Sequence, residues 1–222
     1  LLTYSADSLK RFGFESNEEM NAFRYTDFSY QKFMEAAKKE PYFKNTIFVF
    51  VGDHGIRYNG SLEYFPKSWT EQGLTCEHVP LLFYAPALLK PQRVHNVCSQ
   101  IDILPSIASL AKIPYMNNSL GRNLFDTVAY AQVLGHDEII PRLPKYTAFV
   151  IDHDLHTIGI VNNQYYYLKN LKTGKDDLVS SIGNNPVKES AETDSVKNYL
   201  QQLTDAYYET SKYLLLNNKK RK

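Results

Sequence analysis

Residues 52–55 read Gly-Asp-His-Gly and directly follow the apolar run TIFVFV. A carboxylate oxygen and an imidazole nitrogen are common ligands of Zn²⁺ or Mn²⁺, so Asp53 and His54 could supply half of a metal site. Neighbouring residues on a strand point to opposite faces, so the two side chains can share a site only if the backbone turns. The flanking glycines permit such a turn through their conformational freedom. The alternative is a helix-capping aspartate beside a surface histidine.

Three helices are predicted from hydrophobic spacing and capping residues. Asn17 is the predicted N-cap of a helix that should end near Lys39, before a proline. A second helix is predicted over residues 101–112, with Asp102 at its start as a cap. A terminal helix is predicted over residues 193–216, where one stripe carries the apolar positions Val196, Tyr199, Leu200, Leu203, Tyr207 and Tyr208.

Two strands are predicted in the first half of the chain, at residues 46–51 and 79–84. Their hydrophobicity is continuous rather than alternating, which favours a parallel sheet covered on both faces by helices. The polar stretch between them, residues 56–77, is predicted to be a long loop. The order of helices and strands is therefore typical of the α/β class.

The second half of the chain has a different sequence pattern, with short strand-forming segments separated by turn residues. GHDEIIPRLPKY at residues 135–146 carries two prolines and a glycine, and is predicted to be a linker. The segments TAFVIDHD, HTIGIV and QYYYLKN that follow it are predicted to be short strands of an antiparallel meander. We therefore divide the chain into an α/β part, residues 1–145, and a small antiparallel β part with a terminal helix, residues 146–222.

Composition excludes several classes of function. The formal net charge of the 222 residues is +1, which gives no field for binding nucleic acid, so no nucleic-acid partner is expected. Two cysteines, Cys76 and Cys98, are too few for a disulfide scaffold or a zinc cage, and they could pair or stay as thiols. The chain opens with Leu1 rather than Met, so we expect it to be a piece of a longer protein.

Five segments occur in an order that resembles a known family. They are YTDFSYQKFMEAAKKEPYFKNT, IFVFVGDHG, EHVPLLFYAP, SQIDILPSIASLAKI and GRNLFD. Together they resemble the C-terminal half of the sulfatase-type branch of the alkaline phosphatase superfamily, and are closest to lipoteichoic acid synthase-like phosphoglycerol transferases. The resemblance covers roughly residues 18–180 and implies an alkaline phosphatase-like α/β fold with a small C-terminal subdomain.

The resemblance implies that Asp53 and His54 bind one divalent catalytic metal ion: Mn²⁺, Zn²⁺, Mg²⁺ or Ca²⁺. It also implies that the nucleophile and a further acidic ligand lie earlier in such chains, in a missing N-terminal half of the same protein. No Cys-x-Pro-Ser-Arg signature of sulfatases occurs at either cysteine of this chain.

Two basic residues near the predicted metal site are candidates for contact with substrate. His78 precedes the second strand, where related proteins often present a basic residue, and it could bind a nonbridging oxygen or protonate the leaving group. A surface or capping histidine is the alternative. Arg57 could contact an anion, whereas a solvated loop arginine is the alternative.

The expected function is that of the C-terminal portion of a metal-dependent phosphoglycerol or phosphate-ester transferase, or of a sulfuric-ester hydrolase. The expected partner is an anionic phosphate or sulfate ester, such as a lipid head group or a glycan. The alternative is a non-catalytic domain that binds a lipid head group or glycan, or that acts as a scaffold. The resemblance implies an extracytoplasmic or periplasmic location, with a membrane-anchored parent protein, and this piece alone is expected to be inactive.

Overall fold

The computed structural model of the chain describes residues 2–57, 65–125 and 146–217. The helices are α1 (Ala6–Phe12), α2 (Asn17–Ala37), α3 (Lys67–Glu71), α4 (Leu74–Glu77), α5 (Ile103–Leu110) and α6 (Ala191–Asn217), with 3₁₀ turns at Pro41–Asn45 and Gln100–Asp102. The strands are β1 (Phe48–Val51), β2 (Leu81–Tyr84), β3 (Thr147–Asp152), β4 (Thr157–Asn162), β5 (Tyr165–Asn170) and β6 (Asp176–Ser180). The predicted mixed α/β architecture, with an antiparallel C-terminal sheet and a terminal helix, is confirmed.

The strands β1 and β2 pair antiparallel, so the predicted parallel arrangement of these two strands is wrong. The chain returns to the end where β1 stops, and β2 starts opposite Val51 and runs back until Tyr84 faces Phe48. Continuous hydrophobicity predicts cover on both faces, yet Val51 is 40% exposed and Leu82 is 54% exposed. A continuous apolar run therefore specifies neither the burial of both faces nor the direction of the neighbouring strand.

Helix α2 begins one residue from its predicted cap. The Ser16 hydroxyl accepts a hydrogen bond from the Glu19 N–H, so Ser16 is the N-cap, whereas Asn17 binds the backbone of Tyr4. Within the helix only Ala37 is fully buried. Large apolar residues of α2, such as Phe23, Tyr30 and Phe33, lie at the surface of the described structure.

The predicted antiparallel meander is confirmed, with strand order β3-β4-β5-β6. The fourth strand, β6, was not specified in the sequence prediction. Helix α6 packs on this sheet, where Leu200 is fully buried beside Ile160 and Tyr167. Most of the apolar stripe predicted for the terminal helix thus packs against this core.

Residues 65–77 contain two short helices, α3 and α4, rather than the loop that was predicted for this stretch. Leu74 of α4 is buried against Tyr166 and Leu168 of the meander. The Trp69 indole N–H donates to the Ser181 carbonyl at 2.8 Å. This stretch therefore attaches the first part of the chain to the second.

The predicted linker at residues 135–146 lies almost wholly outside the described residues, so the division at 145/146 stays a prediction. Both cysteines carry free thiols. Among the described helices, none combines the length and the hydrophobicity that a membrane span requires.

Candidate metal centre

The predicted metal ligands lie just beyond the end of β1. The Gly52 N–H donates to the Pro80 carbonyl at 3.2 Å, which extends the pairing of the two strands by one step. The Asp53 and His54 side chains are 91% and 75% exposed, so both are accessible to a ligand.

The Asp53 and His54 side chains face each other. An oxygen of Asp53 (Oδ2) lies 3.8 Å from Nε2 of His54, while Oδ1 accepts the His54 backbone N–H at 2.9 Å. The His54 Nδ1 lies 2.8 Å from the Gly55 carbonyl oxygen. Because a carbonyl only accepts, Nδ1 carries the proton, which leaves a lone pair on Nε2 in the neutral ring. Metal-binding histidines commonly have this arrangement, in which the other ring nitrogen donates to a carbonyl.

The electrostatics keep the carboxylate ionised. The pKa of Asp53 is lowered, chiefly because its side chain accepts the His54 backbone N–H, and then by its own backbone N–H and the imidazole. The pKa of His54 is raised by the Gly55 carbonyl and then by the Asp53 carboxylate. Below that pKa a proton competes with a cation for Nε2, because the imidazole binds metal in its neutral form.

Gly55 has a different role from the one predicted. Neither Gly52 nor Gly55 has a positive φ angle, so the turn does not need the left-handed region. Instead, a Cβ at Gly55 would lie 2.1 Å from the Thr75 carbonyl oxygen. The Gly55 N–H donates to the Cys76 carbonyl at 2.6 Å. Glycine is therefore required here because two backbone segments approach closely.

The imidazole of His78 packs edge-on against the Trp69 ring, with centroids 5.0 Å apart, and against Phe65 at 6.1 Å. Burial lowers the pKa of His78. A lowered pKa favours the neutral ring, which suits hydrogen bonding better than proton donation. The role of His78 toward substrate stays a prediction.

Arg57 does not sit in solvent. Its guanidinium donates to Oδ2 of Asp152 at 2.6 Å and lies 3.6 Å from the exposed Asp154 carboxylate. Asp152 is 4% exposed and also accepts the backbone N–H groups of residues 154 and 155. The alternative of a solvated loop arginine is wrong, and the predicted anion contact would have to compete with this ion pair.

Gln100 was missed by the sequence prediction. Its side-chain amide donates to the carbonyls of Gly52 and Asp53 at 2.7 and 2.9 Å. Asp102 is confirmed as a cap: its carboxylate accepts the Ser99 N–H at 2.9 Å in a capping box. A glutamine in a helix start carries no sequence signal for such a long-range contact.

Within residues 2–57, 65–125 and 146–217, no group of three or more His, Cys, Asp or Glu side chains is placed to hold a metal ion. Two further histidines, His153 and His156, lie in the turn between β3 and β4. Within the described structure, the predicted metal site would therefore draw on the Asp53–His54 pair without a third side chain of these types.

Comparison with known proteins agrees with the predicted relationship. The family model described as "Sulfatase" matches residues 15–113, which include β1, the Asp53–His54 pair, β2 and α5. Residues 15–113 are thus similar to the sulfatase family. The resemblance to the sulfatase-type branch is confirmed.

Individual relatives are similar over part of their length. Arylsulfatase K of Gallus gallus is 30% identical over 148 residues, which are 64% of this chain and 26% of that protein. Arylsulfatase K of Homo sapiens is 28% identical over 127 residues, 55% of this chain and 23% of that protein. A sulfatase of Formosa agariphila is 31% identical over 87 residues, 39% of this chain and 17% of that protein. The chain spans about a quarter of the length of the arylsulfatases that it matches.

Among solved structures, the lipoteichoic acid synthase LtaP from Listeria monocytogenes is similar, with a TM-score of 0.57 and 16% identity. The similarity covers 96% of this chain and 48% of that chain. At this identity the likeness shows a shared fold and nothing about function.

Proposed function

We propose that this chain is the C-terminal part of a metal-dependent sulfatase-type enzyme that hydrolyses or transfers a sulfate or phosphate ester. Asp53 and His54 would supply part of its divalent cation site. The observation that carries the proposal is the convergence of Oδ2 of Asp53 and Nε2 of His54, 3.8 Å apart, at the end of β1. Two ligands of one ion must approach each other in this way, because each bonds it at about 2.0–2.2 Å.

A bound divalent cation would supply charge neutralisation on the anionic ester and ionisation of an attacking hydroxyl. This chain's residues would hold that cation through Asp53 and His54. His78, with its lowered pKa, would act as a neutral hydrogen-bond partner of a nonbridging oxygen. The nucleophile and the remaining ligands would come from the rest of the protein, on the outer side of a membrane or in the periplasm.

Exposed apolar surface supports the proposal of a further polypeptide segment. Tyr30 and Phe33 of α2 are 48% and 50% exposed, and an open groove of about 640 Å³ lies between them and residues 47–51. In the part of the chain that the structure describes, β1 pairs with β2 on one edge only. The sequence of β1, Phe-Val-Phe-Val, has none of the charges or prolines that normally protect an edge strand.

We assign this groove to the remainder of the sulfatase-type domain, since the chain accounts for 48% of the similar solved structure. The test is co-purification of this chain with the rest of its domain, expressed as a separate polypeptide. Phe33→Lys should abolish co-purification, whereas Leu216→Lys, at a residue of α6 that is 79% exposed, should leave it intact. Equal co-purification of both variants would refute the assignment.

Metal binding is tested by NMR with Mn²⁺, whose paramagnetism broadens the signals of nearby nuclei even when binding is weak. We expect Mn²⁺ to broaden the His54 imidazole signals before those of His95, which lies in an exposed loop. Asp53→Asn should remove this selectivity, whereas Asp154→Asn, at an 85% exposed carboxylate, should preserve it. Uniform broadening of all histidines, unchanged by Asp53→Asn, would favour the non-catalytic alternative.

A further inference from the structure

The backbone at the tip of β1 is clamped from the side by Gln100. One nitrogen, Nε2, donates to two successive carbonyls, those of Gly52 at 2.7 Å and Asp53 at 2.9 Å. Successive carbonyls of an extended strand point in opposite directions, so one amide nitrogen can reach both only where the chain turns. The contact therefore stabilises the turn that places the Asp53 and His54 side chains on the same side of the loop.

The backbone segment that carries Gln100 is itself held in place by hydrogen bonds. Gln100 opens the 3₁₀ turn before α5, directly after the Ser99 of the capping box. Asp102, only 2% exposed, accepts the N–H groups of Ser99 and Arg122, both at 2.9 Å. The backbone at Gln100 is thus held by the buried Asp102 carboxylate. The Gln100 side chain is therefore well placed to restrict the motion of the loop that carries Asp53 and His54.

The chemistry of the side chain also fits a cation site. Two N–H donors satisfy two carbonyls without adding charge, so the amide does not oppose a metal ion at the neighbouring carboxylate. A lysine could make the same hydrogen bonds, but its ammonium would repel the cation. Groups that orient metal ligands from outside the coordination sphere typically affect metal affinity by 10- to 100-fold, an order-of-magnitude guide.

We propose that Gln100 is a positioning residue for the Asp53–His54 half-site, which it holds in a cation-binding geometry through the carbonyls of Gly52 and Asp53. This proposal rests on the proposed function, because it takes Asp53 and His54 to be metal ligands. It adds a contact from Gln100, in the 3₁₀ turn before α5, which lies 47 residues from Asp53 in sequence.

Two substitutions separate the hydrogen bonds from the charge. Gln100→Met keeps the length of the side chain but removes both donors, whereas Gln100→Lys keeps donors and adds a positive charge. Asn123→Ala is the matched control, because it removes an amide that donates to the Ser109 hydroxyl at 2.9 Å and not to the metal loop.

The first measurement is hydrogen exchange of the Gly55 amide, which donates to the Cys76 carbonyl at 2.6 Å, in metal-free protein. Gln100→Met should accelerate this exchange by about five- to tenfold, as expected for the loss of a supporting hydrogen bond. Gln100→Lys and Asn123→Ala should leave it close to that of the parent chain. Unchanged exchange in Gln100→Met would overturn the proposal.

The second measurement is the Mn²⁺ concentration that half-broadens the His54 signals. Gln100→Met and Gln100→Lys should both raise it by about tenfold or more, while Asn123→Ala should not. Mn²⁺ binding that is unaffected by Gln100→Met would overturn the positioning role and leave the proposed function standing. An absence of selective broadening in the parent chain would overturn both, even if Gly55 exchange responded as expected.

Discussion

Arg57 and Asp152 are 95 residues apart in sequence, and their side chains meet at 2.6 Å. Arg57 lies four residues beyond Asp53, and Asp152 is the last residue of β3. The pair therefore joins the loop that carries the candidate metal ligands to the C-terminal meander. Asp152 is 4% exposed, so its charge depends on this partner and on the two backbone N–H groups that it accepts.

Arg57→Met should destabilise the protein, because it leaves the Asp152 carboxylate buried without its cation. We expect a loss of about 2 kcal/mol in the free energy of unfolding, measured with urea. The double substitution Arg57→Met with Asp152→Asn should recover part of this loss, since an asparagine oxygen still accepts the backbone N–H groups. Lys67→Met, which breaks an exposed pair with Glu71, is the control and should cost less than about 1 kcal/mol. Equal losses in Arg57→Met and Lys67→Met would contradict the structural role.

The same carboxylate predicts how stability depends on pH. Burial acts to raise the pKa of Asp152, but the Leu155 N–H and Arg57 outweigh it, so the pKa lies below its usual value of 3.8. The unfolded chain therefore binds the proton more readily, and stability falls as pH falls through the folded-state pKa. Asp152→Asn should lose less stability between pH 5 and about pH 3 than the parent chain, as measured by urea midpoints. Asp154→Asn, at an 85% exposed carboxylate, should track the parent chain.

Gly73 is required because the Arg57–Asp152 pair leaves no space for a side chain at this position. Its φ angle is +73°, and an added Cβ would lie 2.7 Å from Oδ2 of Asp152 and 2.9 Å from the Arg57 guanidinium. Gly174 has a similar φ of +71° with nothing within 4 Å of the added atom. Gly174→Ala should therefore cost about 1 kcal/mol of backbone strain, and Gly73→Ala should cost at least about 1 kcal/mol more. Equal thermal shifts for the two variants would show that the ion pair moves aside freely.

Local patterns in the sequence were sufficient to predict most of the secondary structure. The meander and α6 follow from strand-forming runs and a stripe of apolar residues, since both patterns depend on near neighbours along the chain. The Asp53–His54 pair was also singled out from sequence, because a glycine-flanked acid and histidine after an apolar run is a local signal, and its metal-binding role stays a prediction. The two short helices α3 and α4 were missed because their sequence, KSWTEQGLTCE, lacks a clear apolar period.

Contacts between distant segments were not predictable from one sequence. The direction of β2 depends on which end of β1 the chain returns to, and the apolar run does not encode this. The Arg57–Asp152 pair and the Gln100 clamp each join residues that share no local motif. Gly55 was correctly singled out, but its physical reason, the approach of the Thr75 carbonyl, could be seen only in three dimensions.

The core between α6 and the meander provides a test of whether the two parts of the chain unfold together. Leu200 is fully buried against Ile160 and Tyr167, whereas Leu215 of the same helix is 83% exposed. Leu200→Ala should lower the free energy of unfolding by about 3 kcal/mol, and Leu215→Ala should stay within about 0.5 kcal/mol.

The single tryptophan reports on the other part of the chain, because Trp69 lies in α3 and its indole donates to the Ser181 carbonyl. If α3 is held by the meander, Leu200→Ala should shift the urea transition seen by Trp69 fluorescence as far as the one seen by far-ultraviolet circular dichroism. A fluorescence transition that does not move in Leu200→Ala would show that the two parts unfold independently. That outcome would also mean that the contacts of Leu74 and Trp69 with the meander contribute little to stability.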